Sequence, residues 1–391
     1  MTYSSMDSNY SYNLVEHVQD VLQVNSTRPF VLPLWQKVIW SFVFGIMVTV
    51  AVIGNTIIMW IIIAHRRMRT VTNYFLLNLS IADFMMATFN VIFNFVFMLE
   101  SHWPFGLTYC IFTGFVANVT ISTSIFTMMV MSIDRYMAIV RPLTPRMSRK
   151  TVCLIIITIW CMSTILALPT LLYSTVVSFK YNFGERTLCL MLWPDGHMAT
   201  SKKEYWYNVV FLLVTYVIPM ILMAITYSRM GSVLWGSARI GETTDRQETL
   251  IRSKQKVVKM LATVIMLFGI CWLPYHVYFL YIYHDKDVAY ADYIQHIYLG
   301  IYWLAMSNSM YNPIVYYWMN VRFRAYFEVV LCWCWNKRHH DRRHSRPLNL
   351  QESRTLSTRT RSFRLTLSKT LGIKRSFKDR HIPNNIDCHH C

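Results

Sequence analysis

Seven long apolar runs, each closed off by polar residues, set the pattern of this chain: about 35–64, 72–99, 107–133, 151–172, 205–228, 257–283 and 291–319. No Lys or Arg lies deep inside any of them. A bilayer core about 30 Å thick takes about 20 residues of apolar helix, so each run predicts one spanning helix. The expectation is an all-α membrane protein, a seven-transmembrane helix bundle over residues 35–319. In the next segment, 320–334, Phe323, Phe327 and Val330 recur at i, i+4, i+7 and predict a short amphipathic eighth helix on the membrane surface. Residues 1–34 and 335–391 lack such a pattern, and the second stretch is too polar to fold alone, which predicts a disordered basic tail.

Composition agrees, with 54% of residues hydrophobic and 15% charged, where a soluble domain carries roughly 25% charge. The net charge of +18 would suit a nucleic-acid binder, but its placement excludes that reading. Counted on alternate sides of the spans, 31 of the 38 Lys and Arg fall on one side, 16 of them from Arg322 onward. Cationic flanks face the cytoplasm, so a multi-pass plasma-membrane protein is expected, its N-terminus outside and its C-terminus inside. The basic surplus then meets anionic membrane lipid, with no nucleic acid implied.

Residues 1–34 show no signal-peptide pattern, so the first helix is expected to act as signal-anchor. On the outer side they carry two glycosylation sequons, Asn9-Tyr10-Ser11 and Asn25-Ser26-Thr27. The same pattern at Asn78 and Asn118 falls inside spans and is discounted. Of nine cysteines, Cys110 and Cys189 alone sit on the oxidising side and are expected to pair. Cys332 and Cys334 follow the amphipathic stretch and are palmitoylation candidates, free thiols being the alternative.

Asp83 is the one acid deep in a span, and burying a carboxylate in lipid is costly. Asn55, Ser124, Asn308 and Asn312 lie at matching depth. An ionised acid among neutral oxygens suits Na⁺ with water, an allosteric ion and no tightly held cofactor. The competing reading is a structural polar cluster joining the helices. Further along come Asp134-Arg135-Tyr136, Trp160, Pro219, Phe268-x-x-Cys271-Trp272-Leu273-Pro274 and Asn312-Pro313-x-x-Tyr316. Prolines at 219, 274 and 313 predict kinks around Trp272.

With one marker on every helix in order, the chain resembles a rhodopsin-like (class A) G-protein-coupled receptor over about 35–335. The resemblance implies that Asp134 restrains Arg135 at rest and that Tyr227 and Tyr316 stabilise an opened cytoplasmic face. It also implies a relay through Pro219, Ile125, Phe268 and Trp272, beside Tyr136, Asn312 and Pro313. One departure stands out. Where some members place an acid at the inner end of helix six, this chain has Lys254 within a basic run of Arg252, Lys254 and Lys256, so that lock to Arg135 cannot form.

Ligand class narrows by subtraction. The seventh run has no lysine for a retinal Schiff base, Met306 standing there instead, and Ala117 stands where aminergic receptors carry an aspartate. No HExxH, P-loop or G-x-S-x-G supports an enzyme. The outer halves are aromatic and amide-rich: Asn90, Asn94, Asn208, Tyr275, His276, Phe279, Tyr298 and Tyr302, chemistry that matches peptide amides. Met131–Ala138, Trp193-Pro194, Lys256–Met260, Cys271–His276 and Trp303–Pro313 are similar to tachykinin receptors, in loops as well as helices. That implies an amidated peptide ligand and a heterotrimeric G protein, chiefly Gq-type, acting through phospholipase C and calcium. Glu204 and Asp287 are candidate counter-ions on an acidic outer rim. Thr113, Asn208 and Thr170 depart from the vertebrate pattern. A natalisin-type or neuropeptide Y-like receptor is the alternative; a transporter or channel would lead one to expect repeats or more midplane charge. Ser, Thr and Arg alternate from Ser345 to Ser376, and phosphorylation by a receptor kinase would convert this stretch into an arrestin-docking surface.

Overall fold

The computed structural model describes residues 32–145, 147–181, 184–196, 201–236, 245–284 and 294–330. Seven long helices carry the chain: α1 Leu34–Ala64, α2 Val71–Glu100, α3 Gly106–Val140, α4 Arg149–Tyr173, α5 Lys202–Gly236, α6 Asp245–His284 and α7 Ile294–Met319. A short helix α8 follows over 321–330, with Phe323 and Phe327 buried and Val330 half-buried, the face that the i, i+4, i+7 spacing predicts. The chain divides into two units, Met1–Arg324, which holds the bundle, and Ala325–Cys391, of which 325–330 are described. Asn9, Asn25, Asp287, Cys332 and Cys334 lie outside the described residues.

Helix starts follow their capping chemistry. The hydroxyls of Thr70, Ser148 and Ser201 accept from the backbone N–H three residues on, at Asn73, Thr151 and Glu204, satisfying donors that the first turn leaves free. Within the bundle, α3 packs on α2, α4 and α5, while α7 closes on α1 and α6. Accordingly α3 is mostly buried, whereas α5 leaves most of its apolar surface uncovered by the rest of the bundle. Polar struts fix α3 against its neighbours. Trp160 Nε1 donates to Asn78 Oδ1 and Asn78 Nδ2 to Thr127 Oγ1, both at 2.8 Å. Nearer the other end, Asn118 Nδ2 donates to Thr170 Oγ1 at 2.7 Å and to the Tyr207 hydroxyl at 3.2 Å. Both discounted sequon asparagines are thus interhelical fastenings.

Three features go beyond the seven-run pattern. The helix path widens to π turns at Ala87–Val91 in α2 and Leu213–Val217 in α5. Between α4 and α5 the chain forms an antiparallel hairpin, β1 Ser174–Tyr181 with β2 Gly184–Met191, in register Val176 to Cys189. And α7, although 26 residues long and free of Asp, Glu, Lys and Arg, is not among the six helices that, among the described residues, are long and apolar enough by composition to cross a membrane. Its Ser307, Asn308, Ser309 and Asn312 are buried inside the bundle, where α1 and α2 supply partners for Ser309 and Asn312 and Ser307 donates to Leu304 O of its own helix.

Candidate functional site

The hairpin is fastened at one end of the bundle. Cys189 on β2 forms a disulfide with Cys110 in the first turns of α3, with Cα atoms 5.6 Å apart. The α2–α3 connection is zipped to the same strand: Trp103 N donates to Thr187 O at 2.8 Å, Thr187 N to His102 Nδ1 at 3.1 Å, and Arg186 Nε to Ser101 O at 2.5 Å. Ser101 adopts φ 51 and Gly106 φ 75, left-handed turns that let this short link double back. Trp193, past the strand, packs on Tyr173 with ring centroids 4.5 Å apart and lies 5.5 Å from Tyr207. The hairpin therefore caps the bundle as a fixed lid.

Beneath it lies an amide and aromatic layer. Asn90 is buried; its Nδ2 donates to Thr113 O at 3.1 Å and its Oδ1 accepts from the Tyr302 hydroxyl at 2.9 Å, tying α2, α3 and α7. Asn94 is half-buried and donates to Asn90 O at 3.2 Å. Above Trp272, His276 sits 5.0 Å from the Tyr216 ring, Tyr275 packs on Phe279 at 4.8 Å, and Tyr298 lies 5.3 Å from Tyr278 and 6.2 Å from Tyr302. Asn208 is exposed on α5. Thr113 and Thr170, where the vertebrate pattern differs, serve as carbonyl and hydroxyl acceptors in interhelical struts.

The acids of the rim differ in their partners. Glu100 is neutralised by Lys37 of α1 at 2.9 Å. Asp195 accepts from the Ser201 hydroxyl at 2.5 Å and from Lys203 N at 2.9 Å, and the Ser201 hydrogen bond foremost holds its carboxyl below the ordinary 3.8. Glu204, by contrast, has one buried carboxylate oxygen with no hydrogen-bond partner among the described residues.

At mid-depth, Asn312 Nδ2 donates to Asp83 Oδ2 at 2.6 Å and Ser309 Oγ to Oδ1 at 3.4 Å. A cavity of about 10 Å³ borders Asp83, Thr120, Ser124, Asn308, Ser309 and Trp272, space for about one water-sized sphere. The Asn308 Oδ1 is buried without a partner. Asn55 takes a different role: its Nδ2 bridges Ala51 O and Ser309 O, both at 2.9 Å, and it does not line the cavity. Ser309, overlooked in the sequence, completes the oxygen set; it stands one residue from Asn308, but only α7's packing shows which neighbour turns inward. One carboxylate, a hydroxyl pair and a spare amide oxygen fit a small hard cation.

Toward the opposite end, Ile125, Phe268 and Trp272 are fully buried, Phe268 and Trp272 with ring centroids 6.0 Å apart, and Pro219 is buried on α5. Arg135 NH2 donates to Asp134 Oδ2 at 2.7 Å. Tyr136 and Tyr227 pack around Met230, Leu234 and Val258, joining α3, α5 and α6. The Tyr227 and Tyr316 hydroxyls and Arg135 Nε are buried with no hydrogen-bond partner among the described residues. Pro313 touches α1 where Gly54 leaves room: a Cβ on Gly54 would stand 2.6 Å from Pro313 Cβ.

The profile of the 7 transmembrane receptor (rhodopsin family) matches residues 54–316. The chain is 55% identical over 320 residues to tachykinin-like peptides receptor 86C of Drosophila melanogaster, covering 82% of this chain and 64% of that one. It is 44% identical over 310 residues to the Homo sapiens neuromedin-K receptor, covering 79% and 65%. It is 41% identical over 310 residues to the Meriones unguiculatus substance-P receptor, covering 79% and 75%. The chain thus spans a little under two thirds of the length of the first two.

Proposed function

Because the chain belongs to the rhodopsin family of seven-transmembrane receptors, and so is a multi-pass membrane receptor and no enzyme, we propose that it binds an amidated tachykinin-like neuropeptide. The bound receptor activates heterotrimeric G proteins, chiefly of the Gq type. What carries the reading is the identity of 41–55% with receptors named for tachykinin-like peptides, neuromedin K and substance P. The chemistry under the hairpin supports it. Asn94, His276, Phe279 and Tyr298 offer amide, imidazole and aromatic contacts without a charge, and Asn90 with Tyr302 forms a rigid floor. In this reading the hairpin faces outside and Arg135 the cytoplasm, in keeping with the cationic bias of the Arg135 side. Glu204, with its unpartnered oxygen, receives a cationic residue of the peptide, and Asp83 with Ser124, Asn308 and Ser309 holds an allosteric Na⁺. The buried, partnerless hydroxyls of Tyr227 and Tyr316 are available to a rearranged Arg135 end. Receptor kinase and arrestin act on the tail, and lipid attaches at Cys332 and Cys334.

The test is calcium flux in cells expressing the full chain, exposed to a neuropeptide panel in amide and free-acid forms. An uncharged pocket leaves a terminal carboxylate dehydrated and unpaired, so amides should be more potent by about tenfold or more. Equal potency of the two forms refutes the pocket; silence to every amidated tachykinin refutes the ligand class.

A further inference from the structure

At the Arg135 end the bundle encloses a crevice of about 590 Å³, the size of a small-molecule pocket. Arg135 of α3, Arg252 and Lys256 of α6 and Arg322 of α8 line it, and among the described residues no Asp or Glu does. Two of the four are partly neutralised from outside the lining: Asp134 accepts from Arg135 at 2.7 Å and Glu248 from Arg252 at 2.5 Å. Lys256 and Arg322 form no ion pair among the described residues, and Arg135 Nε is buried without a partner.

Cations from three helices thus converge on one space. Closing α6 on α3 drives Arg252 and Lys256 toward Arg135, and position 254, a lysine, supplies no acid to receive the arginine. Like charges brought together in a partly enclosed space repel strongly. A ligand with several negative charges reverses the sign of that interaction, and phosphate oxygens match the guanidinium fork. The rest of the lining selects among polyanions. Met68, Val257, Met260 and Met319 present apolar surface, which a free phosphate compound leaves wet and the glycerol and first methylenes of a lipid cover.

We propose that this crevice binds the headgroup of a polyphosphorylated inositol lipid from the adjoining leaflet. The headgroup bridges Arg135 to Lys256, Arg252 and Arg322 and holds α6 against α3 in the resting receptor. The lipid takes the place of the acid that position 254 lacks. The proposal rests on the receptor reading for its orientation and for the movement of α6.

Full-length receptor is placed in phosphatidylcholine nanodiscs containing phosphatidylinositol 4,5-bisphosphate, with phosphatidylserine at matched charge as control. In a separate arm, soluble inositol hexakisphosphate is added to plain discs. Melting temperature and binding of a fluorescent short-chain phosphatidylinositol 4,5-bisphosphate are read. The inositol lipid should raise the melting temperature above the phosphatidylserine control. Lys256→Gln with Arg322→Gln should weaken probe binding by about tenfold or more, while Lys256→Arg retains it. An unchanged melting temperature in plain discs verifies that the double variant folds; if it melts early there, the single variants carry the comparison. Equal stabilisation by phosphatidylserine, or undiminished binding by the folded variants, overturns the site. A full effect from hexakisphosphate overturns the lipid assignment in favour of a soluble polyphosphate. Neither readout needs peptide or G protein, so its failure is separable from failure of the peptide panel.

Discussion

Single side chains here do two kinds of work, filling a space or holding a charge. Gly54 does the first. With Pro313 Cβ 2.6 Å from where its own Cβ would lie, and the proline ring unable to rotate away, Gly54→Ala must push α1 from α7. Overpacking of this kind costs about 1–3 kcal/mol, so the purified variant should melt several degrees early. Gly45→Ala on the same helix meets nothing within 4 Å and should be neutral or slightly stabilising through helix propensity. Asp83 does the second. Asp83→Asn keeps a hydrogen-bonding side chain beside Ser309 and Asn312 but removes the charge. Agonist affinity should then lose its response to NaCl while the variant still reaches the surface; a wild-type sodium response would leave only a structural role for the cluster. The sequence made Asp83 and its partner Asn312 legible, with Asn308 and Ser124 as neighbours around the same cavity, because a lone acid in a span demands polar company. Ser309 and the diversion of Asn55 to backbone carbonyls were not, since both depend on rotations of α1 and α7 that the spacing of residues leaves open.

Among the elements, the helices were readable from their apolar length and the hairpin was missed, although its residues carry a signal. Thr175, Val176, Val177 and Phe179 on one strand and Thr187, Leu188 and Leu190 on the other are β-formers, and Gly184 opens the second strand. A reading tuned to 20-residue runs passes over eight-residue strands. The π turn at Ala87–Val91 had no comparable local signal, with no Pro or Gly in it, whereas the one at Leu213–Val217 lies just before Pro219, whose missing N–H leaves the Thr215 carbonyl without its i+4 donor. The disulfide was legible because the side of the membrane excluded every other thiol. Its consequence for the hairpin is testable. Cys110→Ser or Cys189→Ser removes the covalent tie while Trp103, His102 and Arg186 still hold the α2–α3 connection to β2. The lid should stay attached to that link but loosen over α3, so surface-expressed variant should lose peptide affinity by more than tenfold, on the scale of the roughly 2–5 kcal/mol that a native disulfide contributes. Wild-type affinity in either variant would mean that the backbone zipper alone positions the lid.

For the whole molecule, the two ends differ in character. One carries a tied hairpin and the Lys37–Glu100 ion pair, the other is an open cationic crevice followed by a basic tail. Phosphate added to the tail's Ser and Thr, at about −1.5 to −2 charges each, would invert its sign. Truncation after Asn336 should therefore preserve calcium signalling and slow agonist-driven internalisation, measured by surface labelling; unchanged internalisation would reduce the tail to a membrane tether. That a bundle existed was plain from the seven runs. That its seventh member is the least apolar was not, because residue spacing does not show how many of its polar atoms the other helices will satisfy.

That polarity of α7 bears on biogenesis. Among the described residues six helices are apolar enough by composition to cross a membrane, but α7 buries four polar residues, of which Ser309 and Asn312 donate to Asp83 of α2 while the Ser309 carbonyl accepts from Asn55 of α1. Made after α1 and α2, α7 can therefore enter the bilayer at low cost only by docking on those two helices, already waiting there. Asn55→Ala or Asp83→Ala, which unlike Asp83→Asn leave no hydrogen-bonding side chain for α7, would then surface as receptor stalled at the translocon and degraded, before any question of ligand arises.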